Sequence, residues 1–221
     1  MGAGAVLPDP ALVVLVGPSG SGKSAWAAGR YRPHEVVSSD RLRALVGSGE
    51  HDLDASADAF ALLDQIVAAR LRRGLTAVVD TLGLDAERRR GYLELARGSG
   101  MPAVAVLVDT DPAECRRRNR ARDRAVPAPV LDGQLRRMRA AVTEIGGEGW
   151  DLVVSAETAQ PEPSHTPARG ARPASSGSGR SSWAWCCSCR ESPGGTTRRA
   201  RRTGWPRWPA PPPRPACRES R

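Results

Sequence analysis

An apolar, β-branched run, Leu12-Val13-Val14-Leu15-Val16, gives way to Gly17-Pro18-Ser19-Gly20-Ser21-Gly22-Lys23-Ser24 and then to the alanine-rich Ser24-Ala25-Trp26-Ala27-Ala28. The first run has the composition of a strand buried on both faces, and the last favours helix. The segment between them matches G-x-x-x-x-G-K-[ST] at every defined position. A strand turning into a helix through such glycines directs successive backbone N–H groups into one concavity. That concavity is an anion-binding nest, reinforced by the positive end of the helix. Lys23 is the only lysine of the chain; every other one of its 33 basic residues is arginine. Arginine is a planar fork, whereas lysine is a compact charge on a flexible stem that reaches the β- and γ-phosphates of a nucleotide. Gly17, Ser19, Gly20, Ser21, Gly22, Lys23 and Ser24 are therefore the candidate contacts to ATP or GTP. The competing reading, a chance glycine-rich turn after a strand, has to account for all eight positions and both flanks at once.

The periodicity beyond this unit alternates between strand and helix. Glu35-Val36-Val37-Ser38, Leu75 to Val79, Ala103 to Val108 and Leu152-Val153-Val154 read as further strands. Ala55 to Arg73 carries Ala59, Leu62, Leu63, Ile66, Val67 and Leu71 at helical spacing. Asp85 to Arg97 and Pro129 to Glu144 repeat that pattern. Asp111-Pro112-Ala113-Glu114 has the form of a helix start: Asp caps, Pro takes the first position, and Glu114 stands where a capping box places its acid. The order predicts an α/β fold, a parallel sheet with helices on both faces and ligands at the carboxyl ends of its strands.

Composition divides the chain near Ser155. Net charge is +9 for the whole chain, yet residues 1–155 hold 21 Lys+Arg against 20 Asp+Glu, and residues 156–221 hold 12 Arg against 4 Glu. Residues 156–221 contain no Leu, Ile, Val, Met, Phe or Tyr, but eleven of the 19 prolines, four of the six tryptophans and four of the five cysteines. Without aliphatic side chains such a segment cannot offset chain entropy by burial, so a disordered tail is expected. Three readings of it stand side by side. Arg198-Arg199-Ala200-Arg201-Arg202 with Trp205 and Trp208 has the ingredients of RNA binding by charge and stacking. Cys186, Cys187, Cys189 and Cys217 would be zinc ligands of non-standard spacing. The third reading, a GC-rich gene translated out of frame, explains the whole composition. Residues 1–155 form one domain by length. The N-terminus lacks the basic region of a signal peptide, and no apolar stretch approaches the roughly 18 residues of a membrane span. Cys115, the one cysteine before the tail, fits a free thiol in a reducing cytoplasm.

Polar residues gather at the predicted strand ends. Asp40 follows the second strand and precedes Arg43; Asp80 closes the third; Arg116-Arg117-Arg118-Asn119-Arg120-Ala121-Arg122-Asp123-Arg124 follows the fourth. Singly, each has a structural explanation: Asp40 as the N-cap of a helix beginning at Arg41, Asp80 as a turn residue, the arginines as a solvated face. Together, beside a phosphate loop, they are the parts of phosphoryl transfer: a base, a carboxylate near Mg²⁺, and cations over the migrating charge.

These segments resemble the P-loop polynucleotide 5′-kinases and the kinase module of bacterial polynucleotide kinase-phosphatases, from about Leu12 to Val154. The resemblance rests on Leu12–Ser24, on Glu35 to Asp40 with Arg43, on Ala59-Phe60, on Leu75 to Asp80, on Cys115 to Arg124 and on Glu148-Gly149-Trp150. It implies ATP and Mg²⁺ as cofactors, with Lys23 on the phosphates and Ser24 on the metal. Asp40 would be the general base for a 5′-hydroxyl, Arg43 a contact to the acceptor's phosphate, and Asp80 a further residue on the acceptor side. Arg118 and Arg122, four apart and so expected on one helix face, would clamp ATP. The chain departs from the family at Asp80-Thr81-Leu82-Gly83, where Leu82 replaces an amide, and in an arginine segment one residue shorter before Arg124. The function expected is an ATP-dependent phosphotransferase acting on the 5′-hydroxyl of a polynucleotide. A small hydroxyl-bearing acceptor such as a nucleoside, sugar or antibiotic, and a non-catalytic nucleotide-binding protein, are the alternatives.

Overall fold

The computed structural model describes residues 5–161. In chain order the elements are β1 (Ala5–Leu7), β2 (Leu12–Val16), α1 (Lys23–Ala28), β3 (Val36–Ser38), α2 (Ser39–Val46), α3 (Ser56–Leu71) and β4 (Ala77–Asp80). There follow α4 (Ala86–Gly98), β5 (Ala103–Leu107), α5 (Pro112–Arg120), α6 (Ala128–Glu144), a 3-10 turn at Ile145–Gly147, β6 (Leu152–Ser155) and β7 (Ala159–Pro161). Five strands form a parallel sheet in the order β3-β4-β2-β5-β6. β2 lies at its centre, and the chain winds outward from it to both sides, which opens a crevice at the carboxyl ends of the strands.

Strand β2 is wholly buried because its two faces serve two cores. Leu12, Val14 and Val16 pack on one side with Ala59, Leu63 and Val67 of α3, Leu93 and Ala96 of α4, and Met138 and Ala141 of α6. Val13 and Leu15 pack on the other with Trp26 and Ala27 of α1, Val104, Val106 and Val154. The two-residue period of a strand therefore reads as an unbroken apolar run when both faces are covered. The expected sheet with helices on both faces is the observed one. Strand β4 begins at Ala77 rather than Leu75, because Leu75 is exposed and the Thr76 hydroxyl is engaged with Asp9 and the Ala11 amide.

Two features were not legible in the periodicity. β1 and β7 are three residues each and pair with one another in parallel, outside the main sheet. The described chain thus runs six residues past Ser155, and the Trp26 indole N–H donates to the Ala156 carbonyl at 2.9 Å. The expected disorder and the out-of-frame reading start at Ala156, whereas residues 156–161 are described and include β7; the RNA and zinc readings concern residues that lie outside those described. The second feature is Arg89 on α4, 1 % exposed among apolar neighbours. Its guanidinium donates through Nε and Nη2 to Glu148, which also accepts from the Trp150 indole N–H at 3.0 Å. Nη1 donates to the Gly83 carbonyl at 2.9 Å, fixing the turn that follows β4. No helix among the described residues is long and apolar enough to cross a membrane.

Burial alone would raise the Glu148 pKa, but hydrogen bonds from Arg89 and Trp150 outweigh it and hold the carboxyl below its ordinary 4.5. Replacing Arg89 by Ala strands this carboxylate and should cost about 3–5 kcal/mol in urea unfolding at neutral pH. The contribution is present above the ordinary glutamate range and is lost as pH falls through the depressed folded value. The gap between wild type and variant should therefore narrow on acidification. A gap that is constant with pH would show that Glu148 is not the group responsible.

Candidate active site

The phosphate loop leaves the carboxyl end of β2 and is shaped by contacts that admit only glycine. Gly20 and Gly22 have φ of +82° and +102°, and a Cβ on Gly20 would stand 2.6 Å from the Cys115 carbonyl oxygen. The loop is braced from three sides. The Gly17 amide donates to the Leu82 carbonyl at 2.9 Å. The Thr110 hydroxyl donates to the Ser21 carbonyl at 2.8 Å. The Ser19 amide donates to the Gln134 side-chain oxygen at 2.8 Å, joining the loop to α6. The Ser21 hydroxyl is buried and has no hydrogen-bond partner among the described residues.

Lys23, 8 % exposed, folds back so that Nζ donates to the Gly17 and Pro18 carbonyls, both at 2.8 Å. Desolvation lowers its pKa from 10.5 to about 8, against the opposing pull of Asp80 and Asp40 and with the help of Arg122. Asp80 ends β4, buried at 7 % exposure, with burial raising its pKa and a hydrogen bond from Ser24 and the Lys23 charge lowering it. Asp80 is thus part of the site rather than a plain turn residue. The Ser24 hydroxyl and the Asp80 carboxylate are hard oxygen ligands side by side, next to a loop built for phosphate. Mg²⁺ fits such a pair, since it is commonly held by one or two protein oxygens with phosphates and waters completing its shell. Among the described residues no cluster of three or more His, Cys, Asp or Glu offers a self-sufficient metal cage.

Asp40 does not cap a helix beginning at Arg41. Helix α2 starts at Ser39 with Ser38 as N-cap, and Asp40 lies in its first turn. Its carboxylate is ion-paired with Arg43, whose Nε donates to the Glu50 carbonyl at 2.8 Å. The Asp40 side chain remains 59 % exposed and Arg43 only 14 %, so the arginine is held and the acid faces open space.

That space is a cleft of about 1380 Å³ lined by Ser19, Lys23, Ser24, Asp40, Arg43 and Asp80, and by Arg122 and Arg124 from beyond α5. Arg118 and Arg122 do not share a helix face. Helix α5 ends at Arg120 and Arg122 lies in the following turn. Arg118 is not among the residues lining the cleft. It ion-pairs with Glu114 at 2.5 Å and donates to the Ser21 carbonyl at 3.2 Å, so it braces the loop from outside. Glu114 does not complete a capping box: Asp111 accepts from the Ala113 and Glu114 amides, while the Glu114 carboxylate turns to Arg117 and Arg118. Arg122, Arg124 and Arg137 line the cleft without a side-chain hydrogen bond or ion pair among the described residues.

The sequence reading passed over Gln134 and Arg89. Both carry the same signal, a polar residue at apolar helical spacing: Gln134 between Leu131, Leu135 and Met138, and Arg89 before Tyr92, Leu93 and Ala96. The Lys23 geometry sets a pH signature. Below about 8 the ammonium is already charged, whereas above it a bound phosphate must draw a proton onto Nζ. Titration of ADP into the protein at pH 8.5, in buffers of differing ionisation enthalpy, should show proton uptake. Lys23→Met should abolish the uptake and weaken ADP by about tenfold or more, the scale of a charge-assisted contact. Uptake that persists in the variant would place the titrating group elsewhere.

A family profile described as an AAA domain matches residues 12–145. No curated protein matches the chain. Among solved structures, a chain of the Pnkp1/Rnl/Hen1 RNA repair complex is 17 % identical with a TM-score of 0.51, over 61 % of this chain and 46 % of that one. The chain thus spans less than half of that relative, and at this identity the likeness shows the fold alone. The Mycobacterium tuberculosis APS kinase CysC is 21 % identical over 67 % of this chain and 90 % of that one, with a TM-score of 0.41. A gluconokinase from Sinorhizobium meliloti 1021 is 22 % identical over 66 % and 83 %, with a TM-score of 0.43. With the profile covering more than half of its length and a phosphate loop at the centre of a parallel sheet, the chain belongs to the AAA domain family.

Proposed function

We propose that this domain transfers the γ-phosphoryl group of ATP to a hydroxyl, with the 5′-hydroxyl end of a polynucleotide as the acceptor. The observation that carries the reading is the meeting, in one cleft, of Lys23, Ser24 and Asp80 with the exposed carboxylate of Asp40. Lys23 exchanges its loop carbonyls for phosphate oxygens. Ser24 and Asp80 would hold Mg²⁺, which when bound neutralises charge on the bridging phosphates. Asp40, oriented by Arg43, accepts the acceptor's hydroxyl proton as the new P–O bond forms and the bond to the β-phosphate oxygen breaks. ADP leaves with the displaced electron pair. Arg122 and Arg124 lie where they can offset charge on the migrating group. Most of the work in such a reaction is positioning and charge neutralisation, which matches a site made of braced cations and two carboxylates.

The width of the cleft and the unpaired Arg122, Arg124 and Arg137 support a polyanionic acceptor. The second reading, a small hydroxyl compound, is favoured by one specific observation: Leu53, Phe60, Leu82, Leu84 and Leu95 give the cleft an apolar wall.

Transfer of labelled γ-phosphate to a 5′-hydroxyl oligonucleotide, run beside a nucleoside and a sugar alcohol, distinguishes the two. We expect label on the oligonucleotide, and a fall of about 10²–10⁴ in kcat for Asp40→Asn, the usual worth of a general base. Label on the small acceptors alone would select the second reading, and full activity in Asp40→Asn would remove Asp40 from the mechanism.

A further inference from the structure

Arg88, in the first turn of α4, lines the cleft along with Asp40. Its guanidinium carbon lies 3.9 Å from the centroid of the Phe60 ring. Nη1 donates to Asp64 at 3.2 Å and to the Tyr92 hydroxyl at 3.3 Å. Every side-chain hydrogen bond that Arg88 makes among the described residues runs through Nη1. The opposite edge of the fork, Nε and Nη2, has no partner there, and the side chain is 36 % exposed. An arginine stacked on an aromatic face and tethered at one corner has lost most of its rotamer freedom beforehand. What it still offers is the pair of parallel N–H groups that grips an oxyanion bidentately.

Arg122, Arg124 and Arg137 line the same cleft without a tether of this kind, and Arg43 and Arg89 have no free edge. Arg43 spends Nε on the Glu50 carbonyl and Nη2 on Asp40, so the same edge of its fork is taken. Arg89 spends Nε and Nη2 on Glu148 and Nη1 on Gly83. We propose that the free edge of Arg88, fixed on Phe60 by Asp64 and Tyr92, binds a phosphate carried by the acceptor and so selects acceptors that bear one. This rests on the hydroxyl-kinase reading of the same cleft and gives its acceptor side a recognition element. Asp64 supplies selectivity as well, since its half-exposed carboxylate repels an anion that is not seated in the fork.

The test reads binding without turnover. The full chain, with its phosphate loop filled by ADP and Mg²⁺, is titrated with thymidine 3′-phosphate and, separately, with thymidine. The phosphate-bearing probe should bind about tenfold more tightly, the worth of one bidentate ion pair to a partly exposed arginine. Arg88→Gln should bring the two affinities to within about twofold of one another. Arg88→Lys keeps a charge and loses the fork, and should give an intermediate ratio. Unfolding midpoints are taken alongside, and if Arg88→Gln fails to fold, Arg88→Lys carries the test. Equal affinity of the two probes in wild type, no binding of either, or an unchanged ratio in the folded variants overturns the proposal. The labelled-transfer assay keeps the two readings apart. Transfer with an Arg88-independent ratio refutes the anion site alone, whereas an Arg88-dependent ratio without transfer to any hydroxyl refutes the kinase alone.

Discussion

A single ammonium group buried at the carboxyl edge of an apolar sheet sets the terms for everything around it. Lys23 is 8 % exposed, with two loop carbonyls as partners and two carboxylates in the background. Without the carbonyls its ammonium would be buried with no hydrogen-bond acceptor, which is costly. Without the sheet the carbonyls would not converge. The strand supplies a rigid origin, the glycines a backbone path closed to other residues, and Asp80 at the end of the neighbouring strand a counter-charge at fixed range. Ser24 inherits that placement as the residue after Lys23 on α1, and its hydroxyl meets the Asp80 carboxylate at the end of the neighbouring strand.

Rigidity around this centre is distributed through backbone carbonyls rather than through a tightly packed site. Leu82 and Gly83, in the turn after β4, are each held by their carbonyl oxygens, one by the Gly17 amide and the other by buried Arg89. The side chain at position 82 is then free to vary, because the turn is fixed by its backbone. The Leu82 departure changes what the cleft wall presents and leaves its scaffold in place.

Much of the fold was legible in the sequence because the inner strands β2, β4 and β5 are buried on both faces and the long helices α3, α4 and α6 each have one apolar face. Both patterns are local. The phosphate loop was legible for the same reason: its chemistry is built from consecutive residues. β1 and β7 were not, since three-residue strands have no measurable period and pair across more than 150 positions. The site divides similarly. Asp40, Arg43 and Asp80 follow directly from strand ends. Placing Arg118 and Arg122 on one face requires a helix that continues through Arg122, whereas α5 stops at Arg120 and the arginine run by itself contains no stop signal. The Arg88–Phe60 stack joins α4 to α3 and the Gln134 contact joins α6 to the phosphate loop, and no spacing within one helix encodes either.

The bond from the Ser19 amide to Gln134 has a consequence for what an anion meets on arrival. Two of the loop's donors are already engaged: the Ser19 amide is spent on α6, and the lysine on its own carbonyls. Ligation at Ser19 is therefore a substitution reaction, in which a phosphate oxygen replaces an amide oxygen. The net gain is the difference between a charged and a neutral acceptor rather than a whole hydrogen bond. The leaving group is a side chain of the helix that also carries Arg137. A phosphate seated at Ser19 would release the Gln134 amide, which lines the same cleft as Arg137.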